Sequence, residues 1–314
     1  MIEFNQVSKA FPDGTKAVSG SSFIVDKGEF FVLIGPSGCG KTTTMKMINR
    51  LIDASEGTIS INGSDIRSKN IHKLRWEIGY VLQQIALFPH MTIAENIAIV
   101  PELKGWDKNT VSDRIDELLQ MVGLDPATYR DRMPAELSGG QQQRIGVVRA
   151  LAGDPDILLM DEPFSALDPI SRSQLQRDIA KLQQEIQKTI VFVTHDMEEA
   201  LQLGDRIAVM KEGEIIQIAS PSELIANPAD EFVASFIGKK TSPWDMTLEA
   251  IDASPEAAGP SISRHTTIRE AFHIMKEKNV SSLSLDQSDQ HVSLEMLTGF
   301  VQQFTDHDRG EGVK

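Results

Sequence analysis

Four short stretches carry residues whose types and spacing suit phosphate chemistry. The run GPSGCGKTT at 35–43 fits G-x-x-x-x-G-K-[ST]. In such a loop, glycines let backbone N–H groups crowd around phosphate oxygens, and the start of a helix adds partial positive charge. Gly35, Pro36, Ser37, Gly38, Cys39 and Gly40 would form the cradle. Lys41 would reach the β- and γ-phosphates of a nucleotide, and Thr42, followed by Thr43, would offer its hydroxyl to Mg2+. The second stretch, ILLMDEP at 157–163, sets Asp161 and Glu162 after four apolar residues. Buried acids there are costly without a metal or a partner. Asp161 is placed to hold Mg2+ through water, and Glu162 to orient or polarise an attacking water. The third, VFVTHD, ends a strand with His195, and the strands of a parallel sheet deliver their carboxyl ends to one place. In the fourth, LSGGQQQR at 137–144, Ser138, Gly139 and Gly140 precede a helix and offer N–H groups and a hydroxyl to an anion. One nucleotide loop thus comes with a second anion cradle.

The elements around these motifs are legible from periodicity. FFVLIG (30–35) reads as a buried strand, the glycine loop breaks it, and KTTTMKMINRLI reads as a helix. Residues 1–34 alternate β-type runs with turns, and GTISINGSDI carries an Asn-Gly turn. Between Thr92 and Leu137 the pattern is helical, with Val111, Ile115, Leu118, Leu119 and Val122 on one stripe. A second helix follows, with Ile145, Val148 and Leu151 facing inward. Then come a strand through Asp161, a helix near 171–187, the strand TIVFVTHD and a strand pair over 205–220. Strands alternating with helices predict an α/β fold with a mainly parallel sheet, into which 92–152 is inserted as a helical block. After Gly238 a Pro-, Ser- and Ala-rich stretch reads as a linker (239–263). Residues 264–304 regain a helix–strand–helix pattern, and 305–314 reads as disordered.

The chain has 314 residues, a net charge of -14 and one cysteine. The acidic balance disfavours non-specific nucleic-acid binding, which needs a basic surface. A single cysteine excludes an internal disulfide and fits a reducing compartment. Cys39 reads either as a small residue that fits the loop or as a thiol that the nearby lysine and helix start render redox-sensitive. The N-terminus shows no secretory pattern and the apolar runs are too short to span a bilayer, so any membrane role is expected to come through a partner.

Taken together, the motifs GPSGCGKTT, GYVLQQIALFPHMT, LSGGQQQR, ILLMDEPFSALD and VTHD, in this order, resemble the nucleotide-binding subunit of an ATP-binding cassette (ABC) transporter over about residues 2–238. The resemblance implies a P-loop cassette fold with a parallel core, an antiparallel β portion and a helical subdomain. It implies that Gln83, with Gln84 as the outside candidate, joins the metal and water site to a loop touching a membrane partner. By the same likeness His195 contacts the γ-phosphate, Phe11 stacks on adenine, and Asp168 lies at a contact between subunits. The signature residues Ser138, Gly139, Gly140 and Gln141 would complete a nucleotide site on a second copy of the chain, packed head to tail.

The stretch YVLQQIALFPHMTIAENIAIVPELKGW is similar to importer subunits for quaternary-amine osmoprotectants such as glycine betaine, carnitine and choline. That implies integral-membrane permease subunits and, indirectly, an extracytoplasmic solute-binding protein as partners, with the chain at the cytoplasmic face of the membrane. Residues 264–304 resemble a single degenerate CBS motif, a small α+β module. The alternative reading is a soluble ABC ATPase acting on a nucleic-acid or ribosomal partner. Stimulation by DNA or RNA, against co-purification with a permease, separates the two.

Overall fold

The computed structural model describes residues 1–165, 167, 172, 174–179, 188–238, 248, 259–263, 266–278, 280–286 and 291–299. Asp168 lies outside them, as do most of the helix expected near 171–187 and the tail 305–314. The chain divides into two units, Met1–Phe236 and Ile237–Lys314.

In the first unit, β1 (Ile2–Ala10), β2 (Lys16–Val25), β4 (Glu56–Ile61) and β5 (Ser64–Asp65) form an antiparallel sheet in the order β2-β1-β4-β5. The central sheet has the order β10-β9-β3-β8-β7-β6, from β3 (Phe30–Ile34), β6 (Ile78–Val81), β7 (Ile157–Asp161), β8 (Thr189–Thr194), β9 (Arg206–Lys211) and β10 (Glu214–Ala219). All its pairings are parallel except β9 with β10. Every residue of β3, β7 and β8 is buried, as expected of parallel strands covered on both faces. The rings of Phe4, Phe23 and Phe31 stack at centroid distances of 4.3 and 5.4 Å and join the two sheets in one core.

Helix α1 (Lys41–Ile48) leaves the glycine loop. It stops short of the expected Ile52 because Arg50 takes a left-handed φ of 52° and the Asn49 side chain accepts from Leu51 N. Helix α2 (Ile71–Trp76) precedes β6. The helical block comprises α3 (Ile93–Leu103), α4 (Lys108–Met121), α5 (Pro126–Tyr129) and α6 (Gly139–Leu151). The predicted α4 stripe is buried, from Val111 through Val122. Helices α7 (Met197–Leu203), α8 (Pro221–Ala226) and α9 (Glu231–Gly238) follow β8, β10 and α8 in turn.

In the second unit, β11 (Ser261–Ile262) pairs in parallel with β12 (Ser282–Leu285), which pairs antiparallel with β13 (His291–Ser293). Helix α10 (Ile268–Lys278) supplies Ile268, Ala271 and Met275 to their core. The stretch expected to be only a linker contributes to this unit: β11 lies inside it, and the buried Leu248 donates its N–H to Thr266 O. Short apolar insertions in a Pro- and Ser-rich run gave no periodicity from which to read that role.

Candidate nucleotide site

The carboxyl ends of β3, β6, β7 and β8 open on one edge of the central sheet, and each delivers a predicted motif there. Register aligns them: Ile34 pairs with Thr194, Asp161 with Val193, and Val81 with Met160.

The glycine loop is held by close backbone packing. Gly40 has φ 105°, and a Cβ there would lie 2.2 Å from Ala17 O. Gly213 donates its N–H to Cys39 O at 3.0 Å, so the turn between β9 and β10 braces the loop. Lys41 is buried, and its Nζ donates to Gly35 O (2.7 Å) and Pro36 O (2.9 Å). This centres the ammonium in the cradle. Ser37 and Gly38 are exposed at the loop's tip, and Thr43 is half-buried in the first turn of α1. Cys39 is buried, which pushes its thiol pKa up against the opposing pull of Lys41. Burial thus works against thiolate formation at Cys39.

Across from the loop, Thr42 Oγ1 donates to Asp161 Oδ1 at 2.9 Å, and the Tyr80 hydroxyl donates to Oδ2 at 3.3 Å. Burial raises the Asp161 pKa, with the Thr42 bond and the Lys46 charge opposing. Glu162 has a left-handed φ of 44°, rare for a residue with a side chain. Its conformation is fixed from both sides: Glu162 N donates to Val193 O, and Ser165 donates to Glu162 O through its N–H and its hydroxyl. The Glu162 side chain meets two nitrogens. Gln83 Nε2 lies 3.3 Å and His195 Nδ1 3.0 Å from the same oxygen, Oε2. No described residue is seen bonding the other oxygen. Gln83, not Gln84, makes this contact.

At α6, Ser138 is the N-cap, and Gly139 and Gly140 form the first turn rather than preceding it. Ser138 Oγ accepts from Gln141 N, and Gln141 Oε1 accepts from Ser138 N, a reciprocal capping box. Gln141 Nε2 donates to the Tyr129 hydroxyl of α5 at 3.0 Å, so its amide ties the cap of α6 to the neighbouring helix. Ser138 and Gly139 are exposed and Gly140 is half-buried. Phe11 is half-buried in the turn after β1, with Lys9 Nζ 5.2 Å from its ring centroid.

Three contributors escape a reading of motifs alone. Tyr80 could have been noticed as a phenol in an apolar strand, whose hydroxyl needs a partner. Thr194 and Glu199, both buried, bond to each other behind His195. Tyr80 also lines an apolar groove of about 480 Å3 along the β6 edge, with Leu51, Trp76, Leu82, Phe88 and Ile99. Leu51 and Phe88 are 49% and 44% exposed, a large apolar patch for a surface.

An acid, an imidazole and an amide gathered opposite a phosphate loop, on the carboxyl edge of a parallel sheet, define a nucleoside triphosphatase of the P-loop class. Comparison with known proteins narrows the class. A family model described as ABC transporter matches residues 18–165. The chain is 52% identical over 284 residues to the glycine betaine/carnitine/choline transport ATP-binding protein OpuCA of Bacillus subtilis, covering 90% of this chain and 74% of that one. It is 50% identical over 303 residues to the choline transport ATP-binding protein OpuBA of the same organism, covering 96% and 78%. A solved dimeric structure of a post-hydrolysis state of the ATP-binding cassette MJ0796, bound to ADP and Pi, matches with a TM-score of 0.64 and 32% identity, over 70% of this chain and 99% of that one. The chain belongs to the ATP-binding proteins of ABC transporters, in the family of the glycine betaine, carnitine and choline importers. No helix among the described residues is long and apolar enough to cross a membrane.

Proposed function

We propose that the chain is the ATP-hydrolysing subunit of a binding-protein-dependent importer for quaternary-amine osmoprotectants such as glycine betaine, carnitine or choline. The observation that carries the hydrolytic part is the convergence of Gln83 and His195 on one oxygen of Glu162. The transported solute class rests on the relatives. The cassette spans residues 1–238 with its helical subdomain at 92–152, and it works at the cytoplasmic face of the membrane through permease subunits.

In this reading the substrate ATP lies with its phosphates on the N–H groups of residues 35–43 and its adenine on Phe11. Lys41 binds the β- and γ-phosphates. Glu162 is held by two donors on Oε2, which leaves Oε1 to accept from and orient the attacking water. His195 spans from Glu162 toward the γ-phosphate. Asp161 and Thr42 fit Mg2+: a buried carboxylate, disfavoured by its burial, already touches a hydroxyl at the loop's exit, and oxygen ligands of this kind would hold the ion. Gln83 completes the oxygen donors that would hold the ion. When bound, Mg2+ neutralises charge on the phosphate oxygens.

Two copies pack head to tail, so that Ser138, Gly139 and Gly140 of one meet the γ-phosphate bound by the other, with Asp168 at their contact. The apolar groove beside Tyr80 seats a permease segment. Tyr80, which lines it, donates its hydroxyl to Asp161, which gives the membrane partner a mechanical route to the site.

Reconstitution with a permease and a solute-binding protein in proteoliposomes tests this. ATP inside should drive uptake of labelled glycine betaine, and Glu162→Gln should stop it while nucleotide still binds. Turnover stimulated by RNA, and indifferent to permease and loaded binding protein, would refute the transport reading.

A further inference from the structure

Behind His195 lies a buried polar relay that no motif accounts for. Helix α7 is capped by Asp196, and Glu199 sits three residues on. In an ordinary capping box that glutamate would accept directly from the N–H of the cap residue. Here a hydroxyl is interposed. Asp196 N donates to Thr194 Oγ1 at 3.0 Å, and Thr194 Oγ1 donates to Glu199 Oε2 at 2.5 Å. The interposed residue and the cap residue flank His195, so the relay clamps its backbone on both sides. The other carboxyl oxygen, Oε1, accepts from Gln176 Nε2 at 3.4 Å, which ties the clamp to the helical segment 174–179. Thr194, Glu199 and Gln176 are 2%, 5% and 9% exposed. Burying an acid there costs stability, and one of its oxygens is used to hold the turn. By contrast the His195 side chain is about half exposed, and besides its contact with Glu162 its aim is set by its backbone.

We propose that Glu199, through Thr194, is a positioning residue that fixes His195 against Glu162 for ATP hydrolysis. It touches neither substrate nor reacting atoms. Misaiming a catalytic side chain by about 1 Å costs on the order of a hundredfold in rate. The inference rests on the role proposed for His195.

Steady-state kinetics of the full chain tests it with Thr194→Val, Thr194→Ser, Glu199→Ala and His195→Ala. Thr194→Val removes the relay hydroxyl without changing side-chain shape and should lower kcat by about tenfold or more at nearly constant KM for ATP. Thr194→Ser restores the hydroxyl and should restore kcat. Glu199→Ala should match Thr194→Val; if it fails to fold, the Thr194 pair carries the test. A residue acting through His195 adds nothing once His195 is gone, so Thr194→Val with His195→Ala should be no slower than His195→Ala alone. Undiminished kcat in Thr194→Val, or additive losses in the double variant, overturns the inference. An unimpaired His195→Ala would instead overturn the role of His195 itself.

Discussion

Nδ1 of His195 lies 3.0 Å from Oε2 of Glu162, although 33 residues separate the two in the chain. The contact joins the ends of β7 and β8, and Gln83, from the end of β6, reaches the same oxygen. Both side chains thus converge on one carboxyl oxygen of Glu162.

Replacing Glu162 by Gln keeps the side chain's shape and removes its basicity. Turnover should fall by about a hundredfold or more, in the range set by losing a positioned general base. ATP binding should persist, and the pair of copies should be trapped with nucleotide. Radiolabelled ATP hydrolysis and light scattering check both halves. Hydrolysis at the normal rate would remove Glu162 from the mechanism.

Lys41→Ala removes the ammonium that Gly35 O and Pro36 O hold in the cradle. Hydrogen bonds to charged groups are worth about 1.5–3 kcal/mol, so nucleotide Kd should rise by roughly one to two orders of magnitude. Equilibrium binding of a fluorescent ATP analogue measures this. Unchanged affinity would refute the phosphate role.

Ser138 serves as a helix cap in its own chain and, in the proposed pair, as a ligand of the opposite nucleotide. Its two roles can be separated. Ser138→Ala should destabilise by about 1 kcal/mol through the lost cap. Ser138→Asp also caps well, so its thermal midpoint should stay near that of the parent, yet its negative charge faces the γ-phosphate. In a Glu162→Gln background it should abolish ATP-driven pairing, seen by size-exclusion chromatography. Pairing that survives the aspartate would deny Ser138 any place in a composite site.

Burial raises the Glu199 pKa above its ordinary value, against the Thr194 hydrogen bond. A raised acid contributes stability below its unfolded pKa, about 4.3, and loses that contribution as pH climbs through its folded value. Glu199→Gln has no such titration. The thermal midpoint of the parent relative to Glu199→Gln should therefore decline from pH 4 upward and level off above the folded pKa. A difference that is flat with pH would show that Glu199 does not titrate as its burial demands.

Much of the site was legible because its chemistry is local. A glycine loop between an apolar strand and a helix states its purpose in nine residues, and the acid pair after ILLM is conspicuous because burying charge is expensive. Gln83 is placed only by likeness to a family, since a lone glutamine after a strand says little by itself, whereas His195 is placed at the site by ending a strand of a parallel sheet beside the other motifs. Tyr80, Thr194 and Glu199 escaped because each is unremarkable where it stands in the chain. Their significance is a partner: Asp161 for Tyr80, and each other for Thr194 and Glu199.

The sequence by itself determined the alternation of strands and helices, the phosphate loop, the placing of the acids at a strand end and the helical block between them, because periodicity, turn chemistry and burial act over a few residues. Tertiary structure alone decided that β3, β6, β7 and β8 open on the same edge, that Glu162 adopts a left-handed backbone, and which oxygen Gln83 and His195 share. It also drew β11 and Leu248 out of an apparent linker into a second core. These outcomes depend on strand order and register, and both are settled when distant segments compete to bury the same apolar faces.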